Sequence, residues 1–231
     1  VDGLPDDDLL VLLQHDADAF NRWEAGQRLA LNRLLSAIQG DGHLQLDTAF
    51  IDAMRAVLRD PALDAAFKEL VLTLPSSTYL AEQLNPVDPQ RIHAVREAAK
   101  HQLAHALHED WAWAFEAHQV RGAYSPDPVS AGKRALANLA LAMLCLEAQT
   151  SGNPVWPGKA YQRFKDAGNM TDRFNALSAL VVSDNELARE ALPRFHAMFR
   201  DEALVLDKWF ALQAGAPDRG GNILPAVRQL M

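Results

Sequence analysis

Residues 16–40 read DADAFNRWEAGQRLALNRLLSAIQG, and this stretch decides the fold class. Its apolar side chains recur three or four residues apart, a spacing that lines them up along one face of an α-helix. This stripe consists of Phe20, Trp23, Leu31, Leu34 and Ile38, with Gln27 as its polar member. Asp16 or Asp18 can accept hydrogen bonds from the free N–H groups of the first turn. The stretch therefore predicts an amphipathic helix that ends near Gly40 and packs its stripe into a core.

The same spacing recurs on both sides of this helix. It predicts further helices over residues 48–60, 62–72, 88–120, 131–149, 159–167, 171–182, 186–200 and 203–214. Asp6, Asp7 and Asp8 suit the start of another helix, where negative charge meets the positive end of the helix dipole. Pro193 is expected to kink or divide the helix that contains it. Alternation typical of strands is scarce, and only residues 70–74 resemble one.

About ten or more helices joined by short turns predict an all-α fold. We expect antiparallel helices stacked in two layers as a superhelix or solenoid of the HEAT type, although no fixed-period sequence repeat is evident. We expect residues 1–231 to form a single helical domain. Val1 is not an initiator methionine, and residues 222–231 read as the start of a further helix. The segment is therefore expected to be an incomplete part of a larger domain.

Composition narrows the class of partner. The formal net charge is −8, with a predicted pI of about 5.4, and an acidic surface repels the phosphate backbone of nucleic acids. No apolar run approaches the length of about 20 residues that a membrane-spanning helix needs. The single cysteine, Cys145, lies in an apolar run and is expected to be a buried thiol. We therefore expect neither nucleic acid nor membrane as a partner, and a reducing, cytoplasmic location.

Three histidines form the one cluster with the spacing of metal ligands. His101, His105 and His108 fall within about 60° of one another on a helix, and two histidines four residues apart can share a zinc ion. The H-E-x-x-H motif of zinc peptidases is absent, since Gln102 follows His101. A solvated or helix-packing face is the simpler interpretation. The cluster stays a candidate metal site, and a small metal-binding helical protein is one function to test.

No other motif carries chemistry. Adjacent carboxylates such as residues 109–110 and 201–202 point in different directions on a helix, whereas an acid/base pair must converge on one substrate. The sequence contains no G-x-x-x-x-G-K-[ST], G-x-G-x-x-G or G-x-S-x-G motif. We therefore predict no catalytic residue and no cofactor-binding residue in this chain.

Four stretches resemble the C-terminal region of bacterial aminopeptidase N, a family of zinc-dependent M1 metallopeptidases. They are residues 16–31 (DADAFNRWEAGQRLAL), 72–89 (LTLPSSTYLAEQLNPVDP), 168–180 (GNMTDRFNALSAL) and 204–214 (LVLDKWFALQA). The elements NRWEA and NMTDxxxAL are the most specific. This resemblance rests on the residues themselves and not on helical periodicity.

The resemblance implies a parent hydrolase that removes N-terminal residues from peptides with one zinc ion. In the family, H-E-x-x-H and a distant glutamate bind the zinc, and G-x-M-E-N holds the substrate amine; neither motif is present here. The resemblance thus implies that this segment is not itself an enzyme. The resemblance also implies that the segment is the helical cap that covers the parent's active site and limits substrate entry. Its implied partners are the upstream catalytic domains of the same polypeptide and the parent's peptide substrates.

Asn21, Arg22, Trp23 and Glu24 are candidate structural or interdomain residues. Trp23 is expected to pack in the core, and Arg22 to make a bidentate contact with a carboxylate at a domain junction. A stand-alone helical-repeat scaffold that binds a peptide or protein is the alternative function. The cap hypothesis predicts exposed apolar surface where other domains pack.

Overall fold

A computed structural model describes residues 3–218 and 220–230. These residues form thirteen α-helices and no strand, which confirms the predicted all-α class. The helices are α1 (Asp6–His15), α2 (Ala19–Gln39), α3 (Thr48–Arg59), α4 (Ala65–Leu72), α5 (Ser77–Glu82), α6 (Pro89–Ala106), α7 (His108–Ala117), α8 (Pro128–Ser151), α9 (Val155–Asp166), α10 (Met170–Val182), α11 (Ala188–Met198), α12 (Ala203–Ala214) and α13 (Ile223–Leu230).

The contacts group the chain into two compact units. Unit 1 comprises the residues up to 121 together with 125–143, and unit 2 comprises residues 122–124 and those from 144 onward. Helix α8 contributes to both units, because the division falls within it. That residues 1–231 form one domain stays a prediction.

Polar N-caps explain where many of the helices begin. The side chains of Asp18, Asp47, Asp64 and Asp88 each accept a hydrogen bond from a backbone N–H of the first turn of α2, α3, α4 and α6. Such a bond satisfies a donor that has no partner within the helix. The helix starts predicted near residues 18, 47 and 88 are thereby confirmed.

The helix predicted over residues 88–120 is divided at Leu107, which is a correction. The backbone of Leu107 lies outside the α-helical region, with φ −110° and ψ 21°. Two carbonyls of the preceding turn accept hydrogen bonds from side chains. Trp111 Nε1 donates to the Leu103 carbonyl at 3.1 Å, beside the helical bond from the Leu107 N–H, and Arg55 donates to the Ala106 carbonyl at 3.1 Å. Tertiary contacts of this kind leave no Gly or Pro signal in the sequence.

Prolines account for most other differences from the prediction. Helix α11 is not divided at Pro193; the buried residues Ala191 and Phe195 anchor it on both sides of the proline. Helix α9 begins at Val155, earlier than predicted, with Pro157 in its first turn, where a missing N–H is tolerated. Helix α8 likewise begins at Pro128. The short helix α5, capped by Ser76, was not predicted.

Each unit has its own apolar core. Fully buried side chains of unit 1 include Leu9, Leu13, Leu29, Leu34, Phe50, Met54, Leu58, Leu80, Ile92 and Trp111. In unit 2, α9 and α10 pack together, and Phe164, Leu177, Leu180 and Phe195 are fully buried.

Helix α8 corrects the expectation that no apolar stretch is long enough to cross a membrane. Within the described part of the chain it is the one helix that meets this test by length and composition, and 61% of its most apolar stretch is buried inside the protein. Such a helix is weak evidence for a membrane span, because the core helix of a soluble protein passes the same test.

Candidate interaction surface

The N-terminal half of the α2 stripe lies at the surface. Leu31, Leu34 and Ile38 are buried as predicted. In contrast, the side chain of Phe20 is 66% exposed, and Trp23 is only half-buried. The centroids of these two rings lie 5.9 Å apart. The prediction that Trp23 packs in the core is therefore wrong in part: one side of the ring faces a groove.

We call this depression the Trp23 groove. It has a volume of about 410 Å³ and is lined by Trp23, Glu24, Gln27, Glu69, Leu70, Thr73, Leu74, Pro75, Ser76 and Tyr79. All of these residues belong to unit 1. Leu70 is 55% exposed and Tyr79 is 44% exposed. With Phe20 and Trp23 they form an exposed apolar cluster, and such clusters often mark interaction sites.

A hydrogen bond and two carboxylates define the walls of the groove. Gln27 donates from Nε2 to the Thr73 carbonyl at 3.0 Å, which links α2 to the end of α4. Glu24 pairs with Arg28 at 3.1 Å, and Glu69 accepts from the Thr73 hydroxyl at 3.3 Å. The groove therefore combines an apolar lining with negative charge.

Arg22 closes the turn between α1 and α2. Its Nε donates to the Leu13 carbonyl at 2.9 Å, and one terminal nitrogen lies 3.4 Å from Asp60. Asn21 donates to Asp16 at 3.3 Å. All of these partners lie within unit 1, and the contact with Asp60 is single, not bidentate. An interdomain role for Arg22 stays a prediction that these contacts do not require.

Arg173, which directly follows the residues NMTD of the NMTDxxxAL element, makes the corresponding contacts in unit 2. It donates to the Phe164 carbonyl at 2.6 Å and to the Lys165 carbonyl at 3.2 Å, and it also bonds the Ala167 carbonyl. These carbonyls end α9 and have no partner within the helix. Asn169 caps α10, and Asp172 holds Arg163 at 2.8 Å. The two most specific sequence elements thus each tie one helix to the next.

The histidine cluster is split by the helix break. His101 and His105 lie on α6, whereas His108 begins α7. Among the described residues, no group of three His, Cys, Asp or Glu side chains is placed to hold a metal ion. The nearby carboxylate of Asp110 instead binds Arg59 at 2.7 Å and Arg55 at 3.0 Å. The structure thus does not bring the three histidines together as a metal site.

Cys145 lies on α8 and is 1% exposed, as predicted. Burial raises the pKa of its thiol to about 12. Because the thiolate is the reactive form, this raised pKa disfavours a nucleophilic role for Cys145 at neutral pH.

Helix α12 forms a second exposed apolar surface, in unit 2. None of its residues is buried, and Leu204 is 80% exposed and Phe210 39% exposed. Trp209 anchors the helix by donating to the Leu192 carbonyl at 3.0 Å. An apolar helix usually buries more of its circumference, so this surface also suits contact with further structure.

Comparison with known proteins identifies the family. The profile of the family described as "Domain of unknown function (DUF3458_C) ARM repeats" matches residues 6–231. Aminopeptidase N of Caulobacter vibrioides is 37% identical over 213 residues, which are 91% of this chain and 24% of that protein. Aminopeptidase N of Escherichia coli is 33% identical over 229 residues, 98% of this chain and 26% of that protein.

A solved structure agrees with these relatives. Legionella pneumophila aminopeptidase A in complex with aspartic acid matches with a TM-score of 0.82 at 26% identity, over 99% of this chain and 27% of that one. The chain therefore spans about a quarter of the length of the relatives that it matches. ARM repeats are helical solenoids, in agreement with the predicted fold class. The chain belongs to the DUF3458_C family of ARM-repeat domains and is homologous to the C-terminal domain of aminopeptidase N.

Proposed function

We propose that this chain is the non-catalytic helical cap of a zinc-dependent M1 aminopeptidase, which removes N-terminal residues from peptides. In this role the chain covers the active site and restricts the entry of substrates. One observation carries the proposal: aminopeptidase N relatives match 91–98% of this chain, yet the chain spans only 24–26% of their length. The partners proposed for it are the upstream catalytic domains of the same polypeptide and the parent's peptide substrates.

The residues present support a non-catalytic role. Hydrolysis of a peptide at neutral pH needs an activated water and stabilisation of an oxyanion. The sequence lacks H-E-x-x-H and G-x-M-E-N. The described residues also supply no set of three side chains that could hold a metal ion. The zinc of the proposed parent therefore does not fit the described residues of this chain.

The two exposed apolar surfaces support a role in covering other domains. The Trp23 groove and α12 both present large apolar side chains to solvent, as expected for faces that pack against further protein. The acidic charge supports the proposal that nucleic acid is not a partner. The buried, unpaired thiol of Cys145 is compatible with the proposed cytoplasmic location.

The gene upstream of the codon for Val1 tests the identity of the parent. We expect a continuous reading frame that encodes G-x-M-E-N, then H-E-x-x-H and a downstream glutamate. The protein from that frame should hydrolyse aminoacyl p-nitroanilides, whereas residues 1–231 alone should not. A start codon close to Val1 without these motifs would contradict the proposal and favour the stand-alone binding scaffold.

A further inference from the structure

We propose that the Trp23 groove is the docking site for a segment of the upstream catalytic portion, and that this segment places an apolar side chain between flanking Lys or Arg residues. The inference rests on the proposed function, because it assigns the partner to the same polypeptide. It goes further by naming the surface of unit 1 and the chemistry of the segment that binds there.

The lining of the groove favours an apolar side chain. Trp23, Leu70 and Tyr79 line it, and Leu70 and Tyr79 remain 55% and 44% exposed. Aromatic side chains that are half-buried before binding are typical anchors of protein interfaces. A volume of about 410 Å³ suits one or two inserted side chains, which makes a local peptide segment the fitting partner.

The charge at the walls favours basic neighbours on that segment. Glu24 and Glu69 both line the groove. Within the described residues Glu24 pairs with Arg28 at 3.1 Å, and the carboxyl of Glu69 accepts from the Thr73 hydroxyl. Carboxylates have several acceptor sites, so both can receive further N–H donors. Basic residues on either side of an apolar anchor would meet them and fix its register.

The walls of the groove are held in place without a ligand. The Gln27–Thr73 hydrogen bond spans the groove at 3.0 Å, and the Ser76 N-cap fixes the start of α5, which carries Tyr79. Leu74, which also lines the groove, is only 8% exposed. A surface already in its binding shape loses little conformational entropy on association.

The length of the relatives indicates which polypeptide would bind in the groove. About three quarters of each aminopeptidase N relative lies outside the part that this chain matches. That polypeptide is covalently linked in the relatives, so its effective concentration favours an intramolecular contact over one with a separate protein.

Hydroxyl-radical footprinting of the full-length protein tests the inference. We expect Trp23 and Tyr79 to be modified at least about five-fold more slowly than Tyr124, which is 55% exposed in this chain. Equal modification of Tyr79 and Tyr124 would overturn the inference. Protection that appears only as protein concentration rises would also overturn it, because the occupant would then be a second copy.

A matched pair of variants tests the contact itself. Leu70→Glu places a charge in the groove, whereas Val11→Glu changes a residue of similar exposure, 58%, on α1. In full-length protein cleaved by a site-specific protease just before Val1, L70E should raise the dissociation constant of the two parts about ten-fold, as loss of an interface anchor does. V11E should leave it unchanged. Equal effects of both substitutions would contradict the proposed docking site.

Charge reversal tests the basic flanks. Glu24→Lys combined with Glu69→Lys should weaken the same association at low salt, and the weakening should shrink in high salt. Glu109→Lys on α7 is the control and should have no effect. If the full-length protein hydrolyses peptides but Trp23 and Tyr79 are not protected in footprinting, the proposed function stands and only the docking site is contradicted.

Discussion

Arg22 and Arg173 occupy the same place in two helix pairs, one in each compact unit. Each arginine comes four residues after the N-cap of the second helix, Asp18 or Asn169. Each also donates to a carbonyl nine residues earlier, near the end of the first helix. A planar guanidinium with five donors suits several carbonyls at once, and lysine does not. The two stretches that contain the most specific elements of the family resemblance thus each join one helix to the next.

Arg173→Lys is predicted to destabilise unit 2. Lysine cannot reproduce bonds to three carbonyls at the end of α9, so we expect the free energy of unfolding to fall by about 1–2 kcal/mol. Urea denaturation, monitored by circular dichroism, measures this free energy of unfolding. Arg200→Lys, at a side chain 74% exposed, is the control. An unchanged midpoint for R173K would show that these bonds contribute nothing to stability.

His118 makes stability depend on pH in the acid range. Burial is the main cause that lowers the pKa of its imidazole; the hydrogen bond to the Ala114 carbonyl opposes this shift, and the charges of Lys68 and Lys133 add to it. Below about pH 6.5 the unfolded chain takes up this proton more readily than the folded one, so stability falls as pH falls. His118→Gln should reduce the loss between about pH 7 and 5, as measured by urea denaturation. The exposed His93→Gln is the control, and an equal slope in both variants would contradict this account.

At the scale of helices, much was predictable because the signals are local. Apolar spacing and the caps Asp18, Asp47 and Asp88 gave the positions of α2, α3 and the start of α6. The break at Leu107 was not predictable, since Arg55 and Trp111 reach it only in the folded chain. The Trp23 groove was missed for the same reason: helical spacing places Trp23 on the apolar face but does not say what covers it.

Two helical glycines give a test of packing between elements. A Cβ at Gly132 on α8 would lie 2.8 Å from the Ala66 backbone nitrogen and 2.9 Å from its Cβ. Gly132→Ala should therefore lower the free energy of unfolding by about 1–3 kcal/mol. At Gly158 on α9 nothing lies within 4 Å, so Gly158→Ala should gain up to about 1 kcal/mol from helix propensity. Urea denaturation of both variants should give opposite signs, and equal signs would contradict the packing described.

At the scale of the whole molecule, the composition excluded few classes of protein, and the family resemblance gave the most information about function. A net charge of −8 and an all-helical pattern fit many proteins. Four stretches, with NRWEA and NMTDxxxAL as their most specific elements, predicted homology to aminopeptidase N, which the relatives confirm. No spacing of residues could have indicated the proposed cap role, because that role would depend on contacts with polypeptide outside this chain.

The proposed cap role is tested most directly by detaching the chain from the proposed parent enzyme after folding. A site-specific protease site placed just before Val1 allows the full-length enzyme to be assayed intact, cleaved, and cleaved with residues 1–231 removed. We predict that the intact enzyme prefers dipeptide and tripeptide substrates over a peptide of about twenty residues, and that removal of the chain lessens this preference at least several-fold. The same substrate-length preference before and after removal, in an enzyme that remains active, would contradict the account.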